Sequence, residues 1–314
     1  MRHATRSLRV GDAPPLSEIT GIRLGGKPVA EIVLHDKAGA DKLPGLVAGL
    51  GGLPAVIGKG SNIIAADGDL PLVLIRQEPR DKVSFERHGA EVWAKAPAGL
   101  PLSALLNAAA AAGLGGLEGL AGIPGSVGGS VAMNAGSFGT EVGPLLRSLT
   151  VFSARTGLRE IRPDAEQAEF SYRSARCLGL PFGSPAPAAG EFPVLLLLEA
   201  VFVLSESGKD RVRSRMRAFL AEKRLRQPVS AASAGCVFKN PAPDVPAGRL
   251  LEEAGMKGKA LGGMRFSSLH AGFLVNEGGG SSAAALELIN TAVEAVRRHS
   301  GFTLEKEVCL WVRQ

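Results

Sequence analysis

Glycine recurs at positions 119, 122, 125, 128, 129, 136 and 139, with Pro124 among them and no charged side chain between the first and the last. A segment so poor in side chains cannot build a core of its own. It folds as turns, and it leaves its backbone open to close approach. Glycine tolerates positive φ and lets main-chain N–H groups converge on an anion, an arrangement suited to a dinucleotide pyrophosphate. A loop of tight turns without a ligand is the alternative. That alternative must also account for a second cluster, Gly58-Lys-Gly-Ser-Asn62, which follows a short apolar run.

At 314 residues the chain exceeds one compact domain, so two or three are expected. Its hydrophobic fraction of 45% supports real cores, and 21% charge is ordinary for a soluble protein. No apolar run approaches the roughly 20 residues that span a bilayer. The basic N-terminus is not followed by an apolar stretch, so no secretory signal is read. Cys177, Cys236 and Cys309 lack metal-site spacing, which points to a reducing cytoplasm without disulfides, zinc or another metal. Basic residues gather only at Lys209–Arg226, which reads as a helix. Without interleaved aromatics this is read as a solvated face and not as a nucleic-acid site. The net charge of +6 suits a small anionic substrate.

Along the chain, strands are expected at Val29–His35, Ala55–Ile57 and Leu72–Ile75, with a helix near Asp41–Leu50. The Gly58 cluster then follows a strand end, where ligands often sit. Val83–Glu86 and Glu91–Ala94 form one expected hairpin, and Ser148–Ala154 with Leu158–Ile161 another. Leu102–Ala112 reads as a helix closed by Gly113. Val194–Leu204, nearly all apolar, is an expected buried strand. A loop is expected at Gly179–Gly190 and a linker at Ser205–Lys209. Beyond it come a strand near Cys236–Phe238, a helix at Ala247–Ala254 and a short strand around Val275. A last helix is expected over Ser282–Arg298, capped by Ser281-Ser282 and ended by Gly301, before a closing strand at Glu307–Val312. The division read from this is 1–80, 81–205 and 206–314.

Neither Gly cluster is a Walker A or Rossmann fingerprint. Together, in order, the blocks resemble those of the UDP-N-acetylenolpyruvoylglucosamine reductase family, also called UDP-N-acetylmuramate dehydrogenase. These blocks are Thr20-Gly-Ile-Arg-Leu-Gly-Gly26, Gly58–Asn62, Leu117–Gly129 with Met133-Asn-Ala-Gly136, Gln227-Pro228 and Ser233-Ala-Gly-Cys-Val-Phe-Lys-Asn-Pro241. Ala247–Gly258, His270-Ala-Gly-Phe-Leu-Val-Asn276 and Leu304-Glu-Lys-Glu-Val308 complete the series. The resemblance implies an α+β protein: a two-lobed FAD-binding domain of the vanillyl-alcohol-oxidase type, followed by a C-terminal α/β substrate domain. No long insertion with a substrate-gripping Tyr follows Tyr172, so the chain resembles the shorter family type.

The same resemblance implies FAD as cofactor, NADPH as co-substrate and a UDP-sugar enolpyruvyl ether as acceptor, in a cytoplasmic monomer without nucleic-acid or membrane partners. It assigns the flavin to Gly58, Gly60, Ser61, Asn62, Ala121, Gly122, Ile123, Gly125, Ser126, Gly128, Gly129, Asn134 and Ala135. It assigns substrate contacts to Tyr172, Lys239, Asn240 and His270. Reducing an enolpyruvyl ether needs a hydride at one carbon, a proton at its neighbour and a cation for the charge that develops between. By resemblance the cation is Arg173, which always carries its charge and grips a carboxylate in two places. Glu307 is the acidic partner. Cys236, where the family usually has Ser, is the proton donor; an unperturbed thiol, with a pKa near 8.5, is a far stronger acid than a hydroxyl. The chain departs from the family pattern at Ala175, Gly272, Lys306 and Cys309. Two rivals stay open: another flavoprotein of the same fold acting on a different acid or sugar, and a catalytically idle flavin- or nucleotide-sugar-binding protein.

Overall fold

The computed structural model describes residues 5–165, 167–182 and 194–311. Residues 1–4 of the basic N-terminus, residues 183–190 of the expected loop and Val312 of the closing strand lie outside the described residues. The chain divides into two compact units. One comprises Met1–Ala13, Val29–Lys59 and Pro71–Ala221; the other comprises Pro14–Pro28, Gly60–Leu70 and Glu222–Gln314.

The first unit holds two larger sheets. Leu8–Gly11, Lys27–Leu34, Asp69–Gln77 and Leu53–Val56 lie side by side in that order. The last two run parallel, with Ala55 beside Leu74. The expected first helix resolves into a 3-10 turn, Lys37–Lys42, and an α-helix, Leu43–Leu50. Asp36 starts the turn by accepting the Ala38 N–H at 3.0 Å, and Gly51 ends the helix at φ +72°.

The second sheet is six-stranded. Its spine is Leu196–Glu206, set between Leu146–Ser153 and Glu91–Pro97, both antiparallel to it. The apolar run here has a physical cause: its alternating side chains enter two cores. Leu195, Leu197, Ala200, Phe202 and Leu204 join the larger core, while Val194, Leu196 and Leu198 join that of the first sheet. Both expected hairpins are present: Ser84–His88 pairs with Glu91–Pro97, and Leu146–Ser153 pairs with Gly157–Ile161. The helix Leu102–Ala112 buries Leu102, Leu105, Leu106, Ala109 and Ala110 and stops at Gly113, φ +78°.

The basic helix spans Lys209–Arg226, as its composition predicts, but it is more than a solvated face. Val212 is buried, and Met216, Phe219 and Leu220 pack on the larger core. The Phe219 ring stacks on Phe138 with centroids 4.5 Å apart. Arg215 reaches within 3.4 Å of the buried carboxylate of Glu118, which also accepts the Gly116 N–H at 2.6 Å. The helix thereby braces the entrance to the Gly-rich segment.

The second unit carries a four-stranded sheet in the order Ser233–Cys236, Phe273–Asn276, Met264–Phe266, Ala260–Leu261, antiparallel throughout. The helices Ala247–Glu253 and Ser282–Ser300 supply Leu250, Leu251, Leu288, Ile289, Ala292 and Val296 to its core. Cys309–Trp311 pairs in parallel with Ile63–Ala65. The long helix is capped as its sequence predicts. Ser281 Oγ accepts the Ala284 N–H at 3.2 Å, and Gly301 closes the other end at φ +77°. A further cap comes from far away in sequence: Asp67 Oδ2 accepts both the N–H and the hydroxyl of Ser282, each at 2.8 Å. Among the described residues no helix is long and apolar enough to cross a membrane.

Candidate active site

The Gly-rich segment folds as two turns around a short helix. The 3-10 turn Glu118–Leu120 passes through Gly122 and Gly125, both at positive φ, into Val127–Ala132. Ser126 Oγ caps this helix by accepting the Gly129 N–H at 3.1 Å. The N–H groups of Val127 and Gly128 donate to the carbonyls of Leu100 and Ala98, both at 2.8 Å. A Cβ on Gly128 would stand 3.0 Å from that of Ala98, so glycine sets how closely the segment lies on its neighbour. Gly58 abuts this cap: a side chain there would collide with Ser126 Oγ. Among the described residues, the N–H groups of Gly58, Lys59, Gly122, Gly125 and Ser126 find no acceptor. A set of unused backbone donors on two glycine-rich segments fits the diphosphate of a dinucleotide.

Asn134 lies just past the short helix, 1% exposed and at φ +38°. Its amide is engaged by protein. Oδ1 accepts the Gly143 N–H at 2.8 Å, and Nδ2 donates to the Ser171 carbonyl at 2.9 Å and to Glu141 Oε2 at 3.2 Å. Ser171 ends the strand Ala168–Ser171, which pairs with Ser174–Cys177 across the turn Tyr172-Arg173. Arg173 sits at φ +55°, donates from Nη2 to the Gly136 carbonyl at 3.0 Å, and lays its guanidinium 5.0 Å from the centre of the Tyr172 ring. Ala175, one of the departures from the family pattern, is buried in the core beneath this hairpin. Burial pushes the neighbouring Cys177 thiol up to about 11.

In the second unit, Gly60 and Gly21 are packed backbone to backbone. The Gly21 N–H donates to the Gly60 carbonyl at 2.9 Å. A Cβ on Gly60 would meet the Ile19 carbonyl at 2.6 Å, and one on Gly21 the Ser233 carbonyl at 2.7 Å. The blocks containing Thr20, Gly60 with Ser61, and Ser233 therefore meet. Asn62 follows, donating from Nδ2 to the Glu307 carbonyl at 3.1 Å and accepting the Cys309 N–H at 2.9 Å.

The Ser233–Pro241 block runs alongside the closing segment. The expected strand near Cys236–Phe238 is Ser233–Cys236 instead. Gly235 at φ +81° breaks the register, and beyond Cys236 the chain changes partners. Val237 donates its N–H to Gly272 and accepts that of Glu307 at 2.8 Å; the Lys239 N–H donates to the Glu305 carbonyl at 2.9 Å. Half-buried Cys236 and Glu307 thus stand on adjacent segments. Lys239 Nζ pairs with Glu305 at 2.5 Å. Asn240 Oδ1 accepts the Ala247 N–H at 2.9 Å, which caps the helix Ala247–Glu253. His270 Nδ1 accepts the Gly272 N–H at 3.0 Å, so its proton resides on Nε2. Burial holds this imidazole below its ordinary pKa. A Cβ on either Gly248 or Gly272 would lie 2.9 Å from its Cε1, so both glycines make room for the ring.

Sequence reasoning missed Glu141, Gly143 and Ser171 around Asn134, and Asp67 at the long helix. Glu141 and Asp67 are ordinary acids in sequence, and nothing in their spacing announces their partners.

Residues 227–311 match the family model of the UDP-N-acetylenolpyruvoylglucosamine reductase C-terminal domain, and residues 52–160 match that of an FAD-binding domain. A UDP-N-acetylenolpyruvoylglucosamine reductase of Nitratidesulfovibrio vulgaris is 46% identical over 308 residues, covering 97% of this chain and 100% of the relative. That of Oleidesulfovibrio alaskensis is also 46% identical, over 95% of this chain and 96% of its own length. The crystal structure of the reductase from Thermus caldophilus superposes with a TM-score of 0.75 at 30% identity, covering 97% of this chain and 99% of that one.

Proposed function

The chain belongs to the UDP-N-acetylenolpyruvoylglucosamine reductase family, and from that membership we propose that it uses NADPH to reduce UDP-N-acetylglucosamine enolpyruvate to UDP-N-acetylmuramate, a step of peptidoglycan precursor synthesis. One observation carries the reading: the 46% identity runs over 97% of the chain and so includes both the FAD-binding and the C-terminal segments. A shared flavin fold alone would not extend through the substrate region, which argues against a flavoprotein with another acceptor.

The unused donors of Gly58, Lys59, Gly122, Gly125 and Ser126 would hold the FAD diphosphate, with Gly60, Ser61, Asn62, Ala121, Ile123, Gly128, Gly129 and Ala135 around the cofactor. When bound, FAD supplies the hydride chemistry that no side chain can perform. The protein's own residues manage charge and protons. Arg173 neutralises the substrate carboxylate as negative charge spreads onto it. The Cys236 thiol donates a proton to the α-carbon, and Glu307 supports the developing enol. Tyr172, Lys239, Asn240 and His270 hold the substrate, His270 offering its Nε2–H as a neutral donor. In this division of labour residues 1–80 and 81–205 serve the cofactor and 206–314 the substrate. Retention of Arg173, Glu307 and a proton-capable Cys236 argues against an idle binding protein.

The test is spectroscopic. The purified protein is expected to be yellow, to bleach with NADPH and to recover its colour anaerobically only with the enolpyruvyl substrate. A colourless protein that cannot be reconstituted with FAD would overturn the proposal.

A further inference from the structure

We infer that Asn134 is a positioning residue for Arg173: it fixes the hairpin turn that carries the guanidinium, and it does so from within the protein rather than through a ligand. This deepens the proposed function and rests on its assignment of Arg173.

A side-chain amide has two N–H donors and one oxygen. In Asn134 both donors and the oxygen are taken by Ser171, Glu141 and Gly143, and the residue is 1% exposed. Such a group has no donor left for a cofactor. Its partners are instead the ends of the structure that presents Arg173. Ser171 is the last residue of the strand before the turn. Gly143 is packed so tightly that a Cβ there would stand 2.8 Å from that of Phe170, on the same strand, and 3.1 Å from Asn134 Oδ1.

The turn needs such a hold. Arg173 occupies a left-handed conformation, φ +55°, where glycine is the residue at ease. Two anchors offset that strain, both from one short segment. Asn134 grips the backbone two residues before Arg173, and the Gly136 carbonyl accepts Nη2 of the guanidinium itself at 3.0 Å. Gly136 cannot carry a side chain, because a Cβ would meet Glu141 Cγ at 2.9 Å and Arg173 Nη1 at 3.3 Å. Asn134 itself adopts φ +38°, a region that Asn enters more readily than most residues. An Asn here therefore satisfies the backbone and the partners together.

The experiment compares Asn134→Ala, Arg173→Lys and the double variant in single-turnover half-reactions on FAD-loaded protein. Asn134→Ala is expected to keep its FAD and its rate of reduction by NADPH, and to slow reoxidation by the enolpyruvyl substrate roughly 10- to 100-fold, the scale of a misplaced catalytic group. In the Arg173→Lys background the same change is expected to add no more than about twofold, because the residue acts through the one already altered. Equal losses in both backgrounds, or loss of FAD with both half-reactions slowed alike, would overturn the inference. Arg173→Lys reoxidising at the parental rate would instead overturn the assignment of Arg173, a separate failure. Should Asn134→Ala not fold, Asn134→Asp keeps the acceptor for Gly143 and removes the donor to Ser171. It is expected to lose reoxidation in the same way, and parental reoxidation by this variant would overturn the inference.

Discussion

The side-chain oxygen of Ser126 fills the space that a side chain on Gly58 would need. The same oxygen caps the short helix that follows, accepting the Gly129 N–H. Gly58 and the Gly-rich segment around Ser126, far apart in sequence, are therefore packed together, and the glycine at 58 is required by its neighbour.

A sign-changing pair of substitutions tests that relationship. Gly58→Ala is expected to weaken FAD binding about 10-fold or more and to lower the melting temperature, as overpacking costs about 1–3 kcal/mol. Ser126→Ala alone loses a helix cap worth about 1 kcal/mol. The double variant should bind FAD better than Gly58→Ala, because removal of the hydroxyl makes room for the new methyl group. Flavin titration with thermal unfolding checks this; a double variant weaker than either single one would rule out the steric coupling.

Asp67 offers a stability prediction independent of catalysis. Its carboxylate accepts both the N–H and the hydroxyl of Ser282 at the start of the long helix, and the Asp67 N–H donates back to Ser282 Oγ at 3.2 Å. The negative charge also lies at the positive end of the helix dipole. Asp67→Ala should lower the stability of this unit by about 1–2 kcal/mol, with Asp67→Asn in between. Urea unfolding of both variants measures the ranking, and parental stability for Asp67→Ala would contradict it.

That pair also marks how far the sequence could be read. The helices Leu102–Ala112 and Ser282–Ser300 were legible because their signals are local: an apolar stripe, a Ser cap, a closing Gly. Both hairpins were legible for the same reason. Asp67 capping a helix 215 residues downstream carries no local signal. The grouping of Gly60–Leu70 with the C-terminal unit is equally hidden, since it depends on the pairing of Ile63–Ala65 with Cys309–Trp311. At the candidate site, the ordered blocks picked out Arg173, Cys236 and Glu307 as residues. They could not reveal that Arg173 stands in a strained turn, or that the Asn134 amide is consumed by protein partners, because neither fact resides in spacing.

Cys236 carries the sharpest prediction about the reaction. Cys236→Ala should leave reduction of the flavin by NADPH within about twofold of the parent and slow reoxidation by the enolpyruvyl substrate by about 10²–10⁴-fold, the usual weight of a general acid. Cys236→Ser restores a donor of the kind the family usually has and should recover part of the loss. Stopped-flow traces of the two half-reactions decide the matter. Equal losses in both would remove Cys236 as the proton donor.

His270 gives the last prediction, a dependence on pH. Burial holds its imidazole below the ordinary value, and its Nδ1 is already used as an acceptor for the Gly272 N–H. Protonation must break that hydrogen bond and charge a buried ring, so the unfolded chain takes up the proton more readily. Between the folded and unfolded pKa values the unfolded state binds more protons, and stability rises with pH. The contribution is fully present above the unfolded value of about 6.5 and is lost as pH falls through the lower folded value. Replacement by Gln, which does not titrate, should remove this slope. The stability difference between the parent and His270→Gln should be constant above about pH 7 and should shift against the parent as pH falls towards about 5. Urea unfolding at a series of pH values measures it. A difference that stays constant to pH 5 would show that the buried neutral imidazole is not what this part of the fold depends on.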